Sequence, residues 1–219
     1  MKVNLLGATG AVGKEVLKLL LEMVEVERVT IYVRKKVTIV HPKLKQIVST
    51  LETQAIENII LEGNVLISCL GSTKKKTPNP KDYYHIDVTI PYTFARALSQ
   101  QQHLDPLQIH VISAIGANAN SKNNYLMMKG KLEELVVDLK IADTYFYRPS
   151  LIIGERGEKR WSENMAQKVM NVVQPLLKGS LERYQSLESK QIARAVVYNL
   201  IHSKKGIHIL EVPDIKSVI

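Results

Sequence analysis

Tyr125 and Lys129 stand four residues apart, and Ser113 lies upstream of both. A four-residue spacing puts two side chains on one face of a helix. The apolar positions Leu132, Leu135, Val136 and Leu139 predict such a helix from Tyr125 to Leu139. An ammonium group beside a phenol favours the phenolate, which equips Tyr125 to exchange a proton. Ser113 closes the short apolar run Ile109 to Ile112, read as a buried strand. Open sheets bind ligands outside the carboxyl ends of their strands, so the Ser113 hydroxyl is placed to hold a substrate oxygen. The trio suits hydride transfer between a nicotinamide and a carbonyl, with Tyr125 supplying the proton. Lys129 is also within reach of a nicotinamide ribose.

Such chemistry needs a hydride carrier, and the amino terminus offers a place for one. A short apolar run (Val3, Leu5, Leu6) ends in glycines at positions 7, 10 and 13, and a helical apolar pattern follows through Val12, Val16, Leu17, Leu19 and Leu20. Strand, glycine turn and helix form the context of a dinucleotide site. In that motif the first glycine permits the turn, the second admits the pyrophosphate and the third lets helix pack on strand. Free N–H groups at the helix start favour an anion. The bland reading is a tight turn without a ligand. At the end of the second strand, an acidic residue would bond the ribose 2′-hydroxyl of NAD, whereas an arginine accommodates the 2′-phosphate of NADP. Here the strand ends in Arg34-Lys35-Lys36, with no Asp or Glu in the turn. Arg34 can grip a phosphate with two hydrogen bonds. NADP is therefore expected over NAD.

The elements that must hold these residues alternate. Strands are expected at Val29 to Val33, around Val37 to Val40 and Gln46 to Ser49, and at Val65 to Leu70. Further strands follow at Tyr145 to Ile153, interrupted by Pro149, and at Ile207 to Val212. Helices are expected at Glu52 to Ile60, Asp82 to Gln101, Ser162 to Leu177 and Lys190 to His202, with Pro91 kinking or restarting the second. The alternation predicts an α/β fold: a Rossmann-type, doubly wound, mostly parallel sheet with helices on both faces. Residues 1–219 are expected to form a single NAD(P)-binding domain with a small substrate-side region near 154–187. That region holds Trp161, Met165 and Met170, which suit a pocket wall or core packing equally.

Composition narrows the class. The length of 219 residues fits one α/β domain, and 45% hydrophobic residues suffice for a core. No apolar run approaches the roughly 18 residues of a membrane span, and nothing resembles a signal peptide. The single cysteine, Cys69, excludes an intrachain disulfide and a cysteine metal cage, and no metal site is read from the sequence. A reducing, cytoplasmic setting is expected. The net charge of +9 is spread out, apart from Lys74-Lys75-Lys76 with Lys81 in a proline-bearing loop. No nucleic-acid-binding motif accompanies it, so nucleic acid is not the expected partner.

Taken together, GATGAVG, CLGST, the serine of VISAIGA, YLMMKGKLEE and YRPSLIIGER, in this order, resemble the atypical branch of the short-chain dehydrogenase/reductases. They are most similar to the Tat-interacting-protein group of NAD(P)H-binding oxidoreductases. The resemblance implies that Gly7, Thr9, Gly10, Ala11 and Val12 line the pyrophosphate, with Arg34, beside Lys35, at the 2′-phosphate. It implies that Cys69, Leu70 and Gly71 flank the adenine side. Tyr125, Lys129, Pro149 and Leu151 would meet the nicotinamide end. One departure stands out: many members have an asparagine in the middle helix that completes a proton relay, and Asp87 occupies that place here. Next to it, His85 is read as a surface histidine rather than a further proton carrier. The expected activity is NADP-dependent reduction of a small carbonyl substrate. The alternative is an NADPH-binding regulatory protein with little turnover, docking on a protein partner.

Overall fold

Gly7 and Gly13 decide how the chain begins. The amino-terminal run forms β1 (Lys2–Leu6), and α1 (Ala11–Glu22) follows the glycine turn. Gly7 adopts φ +76, and a Cβ there would stand 2.6 Å from the Cys69 carbonyl oxygen. A Cβ on Gly13 would stand 2.1 Å from the Gly7 carbonyl oxygen. Only residues without a side chain let the start of α1 press against β1 and its neighbouring strand.

The computed structural model describes residues 1–73, 75–101, 104, 106–153, 177 and 179–219. After α1 come β2 (Arg28–Val33), β3 (Leu44–Val48), α2 (Thr53–Ile56) and β4 (Val65–Ser68). Next are α3 (Pro80–Tyr84), a π-helical turn (His85–Thr89), α4 (Ile90–Ser99), β5 (Gln108–Ile112), α5 (Asn124–Val137) and β6 (Asp143–Tyr147). The chain ends with β7 (Ile152–Ile153), a 3-10 turn (Gly179–Tyr184), β8 (Leu187–Glu188), α6 (Ser189–Ile201), β9 (Gly206–Leu210) and α7 (Val212–Ser217).

Among the described residues, seven strands form one sheet in the order β3-β2-β1-β4-β5-β6-β9, and each neighbouring pair is parallel. β4, β5 and β6 are buried along their whole length, as strands covered on both faces must be. One face packs on α1, α6 and α7 through Val16, Leu17, Leu20, Ile192, Val196 and Ile215. The other packs on α4 and α5 through Phe94, Leu98, Leu132 and Val136. This is the doubly wound α/β sheet expected from the alternation. Strand order reverses between β1 and β4, and the crevice at such a switch point is where this architecture binds ligands.

Several local expectations need correction. Val37 to Val40 is a loop, because the Gln46 side chain takes the place of a strand partner: it accepts from the Val37 amide at 2.9 Å and donates to the Val37 and Ile39 carbonyls. The helix expected over Glu52 to Ile60 is a single turn, α2. The strand expected to run to Ile153 ends at Tyr147; Pro149 breaks it, and β7 pairs with β8 in a separate two-stranded sheet. The helix expected over 162–177 lies, apart from residue 177, outside the described residues. Pro91 does restart its helix: the π turn precedes it, and α4 begins with Pro91 in its first turn. Among the described residues no helix is long and apolar enough to cross a membrane.

Behind the crevice, His110 of β5 is fully buried and stacks between Tyr145 and Tyr147, with Nδ1 3.0 Å from the Tyr147 hydroxyl. Burial pushes its pKa from 6.5 down to about 3. Between those two values the unfolded chain binds a proton that folded His110 refuses, so this residue weakens the fold as the pH drops through that window and has no effect above it. Urea unfolding of wild type should therefore show a larger loss of stability between roughly pH 7 and roughly pH 5 than His110→Phe shows. Equal losses would contradict this assignment.

Candidate active site

A cleft of about 750 Å³ opens over the carboxyl ends of β1, β4 and β5. Its floor at the β1 side is the glycine turn and the first turn of α1, with Thr9, Gly10, Ala11, Val12 and Lys14. Gly10 caps α1 without a side chain, and no acidic residue occupies the first turn. The leading N–H groups of the helix thus receive no side-chain cap and remain free for an anion. Cys69, Leu70, Gly71, Ser72, Thr73 and Lys76, after β4, form the middle. The far wall is Ile112 and Ser113 from β5, Lys122 to Tyr125 and Lys129 from the start of α5, with Tyr83 and Ile152.

Of the residues read from the sequence, the cleft brings together Thr9, Gly10, Ala11, Val12, Cys69, Leu70, Gly71, Ser113, Tyr125 and Lys129. Gly7 sits behind the turn. Arg34 and Lys35 follow β2 directly and are exposed, outside the lining. Pro149 is buried behind Ser113, and its carbonyl accepts from the Ile115 amide at 2.9 Å. Leu151 is exposed, and its neighbour Ile152 contributes to the wall instead. His85 is half-buried away from the cleft; its Nε2 donates to the Leu51 carbonyl at 2.8 Å. The masses of Trp161, Met165 and Met170 lie outside the described residues.

Lys129 is buried, and its ammonium makes two hydrogen bonds to backbone carbonyls and one ion pair. Nζ stands 3.2 Å from the Leu70 carbonyl, 3.3 Å from the Ile112 carbonyl and 3.3 Å from Asp87 Oδ1. The other Asp87 oxygen accepts from the Ser72 amide at 2.8 Å. Asp87 is fully buried, in the π turn that accommodates Pro91. The ammonium lies 6.0 Å from the centre of the Tyr125 ring, and Tyr125 itself is partly exposed to the cleft. The sequence expectation that Lys129 charges the neighbourhood of Tyr125 is therefore tempered, because Asp87 compensates that charge at close range.

Ser113 is held by a residue that sequence reasoning missed. Its hydroxyl donates to Glu133 Oε1 at 2.5 Å. Arg148 binds the same carboxylate with both Nε (3.0 Å) and Nη2. An ionised carboxylate only accepts, so Ser113 faces the cleft with its lone pairs. Glu133 could have been found: it follows Lys129 by the same four-residue step that separates Lys129 from Tyr125. Tyr83 was missed too. Burial first, then the charge of Asp87, pushes its phenol up to about 12, so it serves as a neutral donor, 3.4 Å from the Ser72 carbonyl. Burial likewise raises the Cys69 thiol to about 12, which leaves it an apolar wall residue rather than a nucleophile.

The chain is similar to several known proteins. Residues 2–89 match the family described as semialdehyde dehydrogenase, NAD binding domain. Relatives named "Protein FMP52, mitochondrial" include one from Lodderomyces elongisporus, 30% identical over 166 residues, covering 71% of this chain and 68% of the relative. Another, from Meyerozyma guilliermondii, is 27% identical over 211 residues, covering 94% and 88%. Among solved structures, the Bordetella bronchiseptica enzyme WbmF in complex with NAD+ and UDP superposes with a TM-score of 0.71 at 16% identity, covering 96% of this chain and 71% of that one. A short chain dehydrogenase family protein from Francisella tularensis gives 0.64 at 16%, covering 95% of each. At these identities the structural likeness establishes the fold. The cytoplasmic setting expected from the lone cysteine is corrected by the relatives, which are named mitochondrial.

The Glu133–Arg148 pair should matter to the site's integrity. Replacing Glu133 by Gln removes the charge that holds Arg148 and should cost about 2 kcal/mol in chemical denaturation, the scale of a hydrogen bond to a charged group. An unchanged unfolding midpoint would show that the pair contributes nothing.

Proposed function

This chain belongs to the FMP52 family, and from that premise we propose that it is a mitochondrial, NADP-dependent oxidoreductase that reduces a small carbonyl compound. The observation that carries the reading is that one cleft is lined both by an uncapped helix start and by Tyr125. The residues present fit a nicotinamide dinucleotide. Gly7 and Gly13 keep the turn tight enough for the α1 amides to approach a pyrophosphate, and Gly10 leaves room above them. Arg34 and Lys35, exposed just past β2, suit the 2′-phosphate of NADP and carry the preference over NAD. The resemblance to atypical short-chain dehydrogenase/reductases, the Tat-interacting-protein group among them, supports the same reading, as do neighbours solved with NAD+.

A bound nicotinamide supplies the hydride. The protein supplies the proton: the Tyr125 hydroxyl donates to the carbonyl oxygen as it gains charge. Lys129 holds the wall against which Tyr125 stands, tying β4 and β5 to α5. Ser113, whose own proton goes to Glu133, accepts a hydrogen bond from the hydroxyl of the alcohol form. Ile112, Ile152 and Leu70 exclude water from that end.

One observation favours a second reading, a dinucleotide-binding regulatory protein with little turnover. The Lys129 ammonium already faces two carbonyls and Asp87, and the Ser113 proton is committed to Glu133. The two readings separate in one experiment. If the protein is an enzyme, Tyr125→Phe should lower kcat by about 10²- to 10⁴-fold, the usual contribution of a general acid, while NADPH affinity stays within about twofold. Wild type that binds NADPH but oxidises none with a broad carbonyl panel would favour the regulatory reading. Turnover unaltered in Tyr125→Phe would remove Tyr125 from the reaction.

A further inference from the structure

The cleft has a charge that the cofactor does not account for. No Asp or Glu is among its described lining residues, whereas Lys14, Lys76, Lys122 and Lys129 all are. Asp87 compensates Lys129 from behind the wall. Among the described residues, no ion pair engages Lys76 or Lys122. Both are exposed and line the same cleft as Tyr125, Lys122 three residues ahead of it and Lys76 in the loop after β4. Lys122 lies just ahead of Asn123, whose side chain caps α5 by accepting from the Tyr125 and Leu126 amides. Lys76 lies in the loop after β4; Ser72 of that loop is anchored by Asp87, and Lys76 itself is fixed by its amide, which donates to the Thr73 carbonyl at 2.8 Å. Under the oxidoreductase reading the dinucleotide's phosphates go to the start of α1 and to Arg34 and Lys35.

We propose that the substrate of this site carries an anionic group, a carboxylate or a phosphate, which Lys76 and Lys122 receive while its carbonyl faces Tyr125. The inference rests on the oxidoreductase reading of the same cleft. Ammonium groups on the walls of a concave site, unpaired among the described residues, focus a positive potential, which concentrates anions and speeds their arrival. A neutral carbonyl compound leaves those charges unanswered and gains nothing from them. An acidic one pairs with them at the mouth, and its reacting end is directed inward toward Tyr125. The anionic group takes no part in hydride or proton transfer; it binds and orients. The Asn124 amide, also on the lining, adds a neutral donor beside Lys122.

The test compares matched probes: succinate semialdehyde against butanal for a carboxylate, and glyceraldehyde 3-phosphate against glyceraldehyde for a phosphate. NADPH binding is measured first, by fluorescence. With NADPH bound, at least one charged aldehyde should exceed its neutral partner in kcat/KM by about tenfold or more, or in dead-end affinity if turnover is absent. Which pair shows the larger ratio identifies the group. In the Lys76→Gln/Lys122→Gln double variant the charged-to-neutral ratio should fall by about tenfold, with NADPH affinity retained. Neutral aldehydes equal to their charged partners, or a ratio unmoved in the double variant, would overturn the proposal. If NADPH fails to bind, the oxidoreductase reading falls by itself. Calorimetry of the same probes with the free protein then decides the anion preference, equal affinities counting against it.

Discussion

The Lys129 ammonium ties together four parts of the chain at one buried point. It joins the carboxyl end of β4 through Leu70, the carboxyl end of β5 through Ile112, the π turn through Asp87, and α5, on which it stands. Two of these are the strands flanking the crevice. A buried charge without partners would be untenable, so the pair holds only while all four elements keep their places. Removing one partner of such a pair typically costs about 3–5 kcal/mol. The widened turn at His85 to Thr89 belongs to the same constraint. It accommodates Pro91 and brings Asp87 within 3.3 Å of the ammonium. π turns are rare and recur at functional sites.

The same interaction changes how the Tyr125–Lys129 spacing is to be read. A tyrosine beside a lysine reads as an activated acid, but that reading assumes the lysine's charge is uncompensated. Here a carboxylate faces it at close range. Ser113 is likewise committed, to a carboxylate that Arg148 clamps. What the cleft still presents is Tyr125, an uncapped helix start, and Lys76 and Lys122, which no ion pair engages among the described residues. The Ser113–Glu133–Arg148 hydrogen bonds favour rigidity, which suits a site that holds ligands in a fixed geometry.

Much of this was legible in the amino-acid sequence, and for physical reasons. The glycine turn and the alternation of short apolar strands with amphipathic helices act locally, so they announce the doubly wound sheet and its ligand crevice. Tyr125 and Lys129 lie on one helix, so their spacing alone put them together. What stayed hidden depended on contacts between distant segments. Asp87 was visible as a departure, but its partner was not, since 42 residues separate it from Lys129. Glu133 and Arg148 belong to different elements and meet only after β6 docks beside β5. The loop at Val37 to Val40 looked like a strand until Gln46 claimed its backbone. The cellular setting was misjudged because a low cysteine count reports a reducing environment and does not choose among compartments.

The account stands or falls on a nicotinamide dinucleotide in the crevice between β1 and β4. Its most direct test is a fluorescence titration of the purified protein with NADPH and, in parallel, with NADH. The account predicts saturable binding of both, with NADPH the tighter ligand through Arg34 and Lys35. No binding of either would contradict the reading of the cleft itself, and NADH binding as tightly as NADPH would contradict the part assigned to Arg34.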